Sequence, residues 1–484
     1  MNNINISAKL NVKKIVIMAG IALIYLLIFS GYTSPLYTDY YEWDSPFFML
    51  VGKMINSGAE LYTDVFDDKG PVIFFINSIG LSIAGRTGVF ILQWLFLCAD
   101  IFISCMIVEV LGTSTKTKYS ALAGTLVFWT YSLSNGNTCE EYNLPFILLS
   151  FYFLLKDVKS AKPMIRHSLI YGIGIAICAL TRLTNGVSIF AIALFWIIYL
   201  IKENRISELL MNLLAGVVGI AVIFIPVSIN YMLKGSFDEM IFDVFIINFS
   251  YASNSAYING IKNLSIIVHM LINFSPLLIA IIVFWVKIND LLLKFALVLV
   301  TVCNIPVLLL GGGYNHYFAI IMPIVLCMLA VAFDSFFTKS FINVMVVAMM
   351  IMYTVLAVRV IVVNVRECYI SLEYTEEFKT VKNDFQSIPN EERNSVLGFS
   401  MVPRYYLIGD ILPCFKYCAF QDIWFNEIPQ IRDEMEKFIK TTPPCWIVVE
   451  DDYNNAWLQG IIDAKYELKL SDKYCRMYRI RGNK

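Results

Sequence analysis

YTDVFDDKGPVIFFINSIGLSIAG, residues 62–85, decides how the rest of the chain is threaded. Its apolar part, Pro71 to Gly85, is about fifteen residues long, short of the roughly 20 that cross a bilayer as a helix. Counted as a crossing, it would invert every later loop and carry Lys116 and Lys118 to the outer side, against the tendency of basic residues to stay inside. It is therefore laid along the outer interface. Residues 46–55 join it there, because Phe47, Val51, Met54 and Ile55 recur at helical spacing beside Lys53, the pattern of an amphipathic helix in the headgroup plane. Residues 32–87 then form one large external loop.

Outward from that loop the chain is dominated by apolar runs. Of its 484 residues 58% are hydrophobic and 15% charged, whereas soluble domains are about a quarter charged. Spans are expected at 13–31, 88–111, 119–135, 142–155, 168–181, 187–201, 209–233, 263–286, 291–310, 317–336 and 341–363, eleven in all. The first follows Lys13 and Lys14 like a signal peptide, but no small-residue cleavage site comes after it, so it reads as an uncleaved span. With the N-terminus in the cytoplasm, fourteen Lys and Arg fall on inward ends and loops and six on outward ones. The net charge of -1 argues against a nucleic-acid partner. Eleven cysteines without C-x-x-C spacing suggest neither a zinc site nor a disulfide framework, and the five in the tail cannot all pair.

The expected fold is thus an all-α polytopic membrane domain over residues 1–363, with about 11 transmembrane helices and interfacial helices in its first external loop, followed by a small extracytoplasmic α/β domain over 364–484. In that tail Ser395 to Ser400, Phe415 to Phe420 and Cys445 to Glu450 read as strands, Ile428 to Lys440 as a helix, and Tyr466 to Leu470 with Arg476 to Ile480 as a final hairpin. Glu450-Asp451-Asp452 ends a strand and reads as a cap for the next helix.

That topology gathers polar residues on the outer side: Asp39, Glu42, Asp44, Asp64, Asp67, Asp68, Lys69, Glu140, Glu141, Arg182, Asn185 and His316. Carboxylates against an apolar bundle are costly and commonly tied to function. In Trp43-Asp44-Ser45-Pro46, Pro46 suits the first helical position and Ser45 the cap, which frees Asp44 to act as a general base; a plain cap or a solvated carboxylate is the other reading. Lys69 precedes Gly70-Pro71, a helix start whose dipole and N–H groups attract phosphate; a charged turn with Lys69 paired to Asp67 is the alternative. Glu140-Glu141 opens a span, either as favourable dipole placement or as a second acid that orients an acceptor or holds a divalent cation. Arg182 sits on an outer turn, where it contacts a lipid phosphate or snorkels to the interface. His316 follows Gly311-Gly312-Gly313, either as a structural histidine or beside an anion site built from backbone N–H groups.

Asp44 with residues 58–71 (Gly58-Ala59-Glu60 through Lys69-Gly70-Pro71), Asn137-Thr138-Cys139-Glu140-Glu141-Tyr142-Asn143-Leu144-Pro145-Phe146, and Tyr314-Asn315-His316-Tyr317-Phe318 with Pro323 resemble, in order and side of the membrane, the polyprenyl-phosphate-sugar-dependent glycosyltransferases of the GT-C fold. Within that fold they are most similar to glycosyltransferase family 39, which includes protein O-mannosyltransferases and the aminoarabinose transferase of lipid A. The resemblance covers most of residues 10–365; the tail carries no matching motif. It implies an inverting membrane glycosyltransferase with Asp44 as general base, Glu140 or Glu141 as second acid, and Lys69, Arg182 and His316 as contacts to the donor phosphate. Its partners would be membrane lipids, a polyprenyl-phosphate sugar donor and an extracytoplasmic acceptor glycan, lipid or protein. Two departures bear on the acceptor and the metal requirement: Ser45 stands where many members have an acid, and Gly70-Pro71 where they have two prolines. A transporter or flippase of a lipid-linked sugar is the rival reading. Transporters place polar residues near the midplane, whereas here they cluster at one face.

Overall fold

The computed structural model describes residues 12–37, 44–133, 135–248, 275–310, 314–337, scattered positions from 347 to 362, 376–451 and 453–482. Asp39, Glu42, the Gly311-Gly312-Gly313 turn and most of the expected span at 341–363 lie outside the described residues. The principal helices of the apolar part are α1 Val12–Phe29, α2 Asp44–Asn56, α3 Pro71–Val110, α4 Thr115–Ser132, α5 Cys139–Ser160, α6 Ile165–Ala179, α7 Val187–Lys202, α8 Ile206–Lys234, α9 Ser275–Lys287, α10 Leu291–Leu310 and α11 Met322–Phe337. Among the described residues, six segments are long and apolar enough to cross a membrane: Val12–Phe29, Pro71–Val110, Leu183–Lys202, Ile206–Lys234, Leu291–Leu308 and Asn315–Ser335. Helices α4 and α5 fill the expected windows at 119–135 and 142–155, but lysines or carboxylates at their ends dilute the apolar signal.

Small residues let the helices approach closely. A Cβ on Gly172 of α6 would lie 2.9 Å from the Gly216 carbonyl carbon of α8, and Ser168 donates to Asn212 across the same seam at 2.7 Å. The opposite face of α8 is exposed and apolar, with Leu210, Leu214, Val217, Val222, Ile225, Ile229 and Leu233 turned outward as lipid contact requires. Helix α3 is broken at Ala84-Gly85, where Gly85 takes φ +59°. The chain folds back there, so that a Cβ on Gly88 would meet the Gly80 carbonyl carbon at 2.8 Å. Residues 71–83 therefore form a helix separate from the span that follows, with Phe75, Ile79 and Ile83 exposed in a stripe and Ile73, Phe74, Asn77 and Ser78 buried against α2.

Helix α2, expected in the headgroup plane, is more enclosed by protein than its amphipathic spacing implies. Phe47, Phe48, Met49, Leu50, Val51 and Met54 are all buried, and Gly52 abuts the Asn77-Ser78 backbone of α3. The other side of α2 is covered by the C-terminal unit, through Phe47 edge-on to Phe420 at 5.6 Å and an ion pair from Lys53 to Asp410. The spacing of its apolar residues shows a helix with a greasy side, but not that protein rather than lipid covers it.

The C-terminal unit has a four-stranded sheet in the order β1-β2-β4-β3, where β1 is Val396–Gly398, β2 Trp446–Glu450, β3 Tyr466–Ser471 and β4 Cys475–Ile480. Strands β1 and β2 run parallel, and the other two pairings are antiparallel, with a bulge between Leu468 and Leu470. Helix α12 spans 376–386, α13 Pro429–Thr441 and α14 Ala456–Lys465. Phe415 to Phe420, expected as a strand, is irregular. Its aromatics are spent on packing instead, Phe415 stacked on Phe438 at 4.0 Å and Tyr417 against Phe66 at 5.1 Å, and Phe420 turns to φ +57°. The Lys416 carbonyl accepts from Phe66 N–H at 3.1 Å, which binds the tail to the loop ahead of Lys69.

Candidate functional site

Loops from distant parts of the sequence meet at one end of the bundle. The turn before α5, Asn135-Gly136-Asn137, holds three successive positive φ angles, which asparagine and glycine tolerate best. Thr138 caps α5, its hydroxyl accepting from Glu141 N–H at 3.4 Å, so both glutamates enter the first turn. They diverge from there. Glu140, 1% exposed, accepts from Arg182 Nη1 at 3.0 Å. Glu141 points into the bundle, where one oxygen accepts from Gln93 Nε2 and from Asn137 N–H, each at 2.8 Å. Asn137 in turn bonds Ser45 at 2.8 Å and Asn77 at 3.0 Å, so Glu141 and Asn137 pin the start of α2, and with it Asp44, to α3 and α5. The Ser45 hydroxyl, expected as a cap, serves this network.

Arg182 is fixed on three sides. Beyond Glu140, its Nη2 donates to the Tyr317 hydroxyl, its guanidinium stacks over the Tyr317 ring at 4.0 Å, and His316 Nε2 lies 3.5 Å from Nη1. Tyr317 belongs to the motif around His316, but no role of its own was expected for it. Asn185, one short turn beyond Arg182, is buried with its Nδ2 unpartnered.

The Lys69 loop docks directly on the Arg182 turn. Gly70 N–H donates to the Thr181 carbonyl and Val72 N–H to the Leu180 carbonyl, both at 3.0 Å. A Cβ on Gly70 would lie 2.7 Å from the Leu180 Cα and closer still to its carbonyl. Glycine is required by that approach, and a proline would also lack the donor, which gives the departure from the double proline a physical reason. These bonds use N–H groups that the sequence reading left open to phosphate. Lys69 Nζ itself lies 3.5 Å from Asp67 and 3.3 Å from Asp68, with the Phe48 ring centroid 5.5 Å away. Burial pushes the Asp67 carboxyl up, Lys69 draws it back in part, and the like charges of Asp68 and Asp44 add to the rise. Burial also disfavours the Lys69 ammonium, but the three carboxylates outweigh this and hold its pKa well above the usual lysine range, so it stays charged.

Asp44 is exposed at the first position of α2. His316 lies within electrostatic reach of Glu140, Arg182, Asp44 and Lys69, and Lys69 within that of Asp44. Two fixed cations thus sit beside an open carboxylate and a buried one. Such a cluster can bind an anion, and its aspartates, with Glu140, are the oxygens a divalent cation would use, although Lys69 and Arg182 already engage three of them.

Residues 68–230 match the family model for dolichyl-phosphate-mannose-protein mannosyltransferases. Comparison with solved structures adds ArnT from Cupriavidus metallidurans bound to undecaprenyl phosphate, with 12% identity over 97% of this chain and 98% of that one and a TM-score of 0.59. The chain has a GT-C glycosyltransferase fold. The apo state of the same ArnT superposes with a TM-score of 0.58 at 12% identity, over 96% of this chain and 98% of that one. The archaeal oligosaccharyltransferase AglB from Archaeoglobus fulgidus, in complex with an inhibitory peptide and a dolichol-phosphate, gives a TM-score of 0.51 at 10% identity, over 93% of this chain and 70% of that one. Sequence comparison with curated proteins finds no significant match. A multi-pass membrane protein with this GT-C fold places its polar cluster at one end of an apolar bundle.

Proposed function

We propose that this chain transfers a sugar from a polyprenyl-phosphate donor to an acceptor glycan, lipid or protein on the extracytoplasmic side, by inverting attack with Asp44 as general base. One observation supports the reading: Asp44, Lys69, Glu140 and Arg182 all lie within electrostatic reach of His316, with Arg182 locked between Glu140 and Tyr317. An acceptor hydroxyl deprotonated by Asp44 attacks the anomeric carbon; the bond to the lipid phosphate breaks and its electrons leave with the phosphate. Lys69 and Arg182 then stabilise the departing charge in a water-poor pocket, where fixed charges act most strongly. Glu140 holds Arg182 in place, and Glu141, through Asn137, holds the start of α2. The division at residue 363, the cytoplasmic N-terminus and the extracytoplasmic tail belong to the same proposal; the division follows from the end of the last apolar run and the sidedness from the distribution of basic residues.

The test uses purified protein with polyprenyl-phosphate sugars and measures release of the lipid phosphate and appearance of labelled sugar on extracted envelope material. Transfer supports the enzyme. Movement of intact lipid-linked sugar across proteoliposomes without any release would establish the flippase instead.

A further inference from the structure

We propose that Asp384, Asp472 and Cys475 form a binding site for a divalent cation of the zinc type in the C-terminal unit, apart from the cluster around Arg182. One oxygen from each carboxylate and the Cys475 sulfur all lie within 4.8 Å of one another. They come from two elements: Asp384 from α12, and Asp472 and Cys475 from the turn into β4 and its first residue. Cys475 is fully buried and Asp384 is 8% exposed.

The second observation is what these groups lack. Asp472 Oδ1 is occupied, accepting from Tyr474 N–H at 2.8 Å and Cys475 N–H at 2.9 Å. Its Oδ2, and Oδ2 of Asp384, are buried without a hydrogen-bond partner. A buried carboxylate oxygen left this way is costly unless a cation or proton meets it. The basic residues nearby point elsewhere: Lys473 pairs with Glu376 at 3.5 Å, and Arg476 turns to Asp451 at 3.9 Å and to the Tyr453 carbonyl. Among the described residues no ion pair reaches Asp384 or Asp472. Two adjoining carboxylates, each with an unpartnered oxygen, and a thiol thus converge on one place.

The donor set selects the metal class. Zinc binds sulfur at about 2.3 Å and carboxylate oxygen at about 2.1 Å in a tetrahedron, so its ligands stand roughly 3.5 Å apart, a spacing small side-chain rotations reach here. Calcium and magnesium require six or more oxygens, and a thiolate disfavours them. On binding, the Cys475 thiol releases its proton to solvent and water completes the fourth position. The bound ion would tie α12 to the β3–β4 hairpin, a structural role. Sequence spacing does not show the site because Asp384 lies far from the other two.

The experiment uses the full-length protein in detergent, stripped with chelator, with cobalt(II) as the probe. One equivalent of cobalt should give a thiolate-to-metal charge-transfer band, and zinc should displace it and raise the thermal midpoint. Cys475→Ser should abolish the band, and Asp384→Asn should weaken affinity about tenfold or more. Asp472 is left intact because its Oδ1 holds the turn. Absence of both band and midpoint shift in the folded wild-type protein with excess cobalt and zinc would overturn the proposal and leave a shared proton as the pair's partner. A band that persists in Cys475→Ser would overturn it too, by assigning the metal to another thiol.

Discussion

Replacing Gly70 with alanine tests whether the Lys69 loop and the Arg182 turn work as one unit. The added Cβ would lie 2.7 Å from the Leu180 Cα and closer to its carbonyl, whereas ordinary carbon contacts are about 3.5–4.0 Å. Both sides are backbone, so the loop must retreat by roughly 1 Å. Retreat strains the bonds from Gly70 N–H to Thr181 and Val72 N–H to Leu180, each 3.0 Å long. With about 1 kcal/mol for each strained bond and about 1–3 kcal/mol for the overpacking that retreat leaves, the loss of stability is about 3–5 kcal/mol. The same retreat shifts Lys69 relative to the Arg182 turn, and a misplacement of about 1 Å costs on the order of a hundredfold in rate. Thermal unfolding in detergent and sugar transfer are measured together, with Gly460→Ala as control, since nothing lies within 4 Å of a Cβ there. Gly70→Ala with wild-type unfolding and wild-type transfer would show that the close approach does not hold the site together.

Asp44→Asn keeps size and capping ability but cannot accept a proton, so transfer should fall by about a hundredfold to ten-thousandfold with stability and donor binding retained; normal turnover would assign Asp44 to capping alone. Lys69→Ala should weaken donor binding by about 1.5–3 kcal/mol through loss of a charge-assisted phosphate contact, and unchanged affinity in a binding assay removes Lys69 from the donor site. Burial pushes the Asp243 carboxyl from its ordinary 3.8 up to about 8, with Lys416 opposing and Asp67, Glu239 and Asp68 adding to the rise. The folded protein therefore holds that proton more tightly than the unfolded chain, so this contribution is fully present below about pH 4 and is lost as pH rises to about 8. Asp243→Asn should flatten that part of the stability–pH curve, with its largest gain over wild type near pH 8; parallel curves for the two proteins would refute the burial effect.

Much of the candidate site was legible because its residues break the apolar background. Arg182, Glu140 and His316 stand out beside spans, where a charge is costly enough to require a reason. Their partners were not legible. Glu140 and Glu141 are adjacent and identical in type, yet helical rotation of about 100° per residue sends one to Arg182 and the other to Gln93. Tyr317 stands in the motif with His316, but its ring's role became visible only where the Arg182 turn comes against it.

The sequence alone determined a multi-pass apolar bundle with its acidic and basic residues gathered between spans, because hydropathy and charge act locally and need no partner to be read. It also marked Pro71 to Gly85 as too short to cross, and the break at Gly85 follows from glycine's freedom at φ +59°. Tertiary structure alone decided that α2 is sheathed by protein rather than lipid, that Phe415 to Phe420 packs instead of pairing, and that Asp384 faces Cys475. Each of these depends on contacts between segments far apart in the chain. An apolar face records that something must cover it, but the energy of covering it is nearly the same for lipid, helix or strand, so only the packed chain chooses among them.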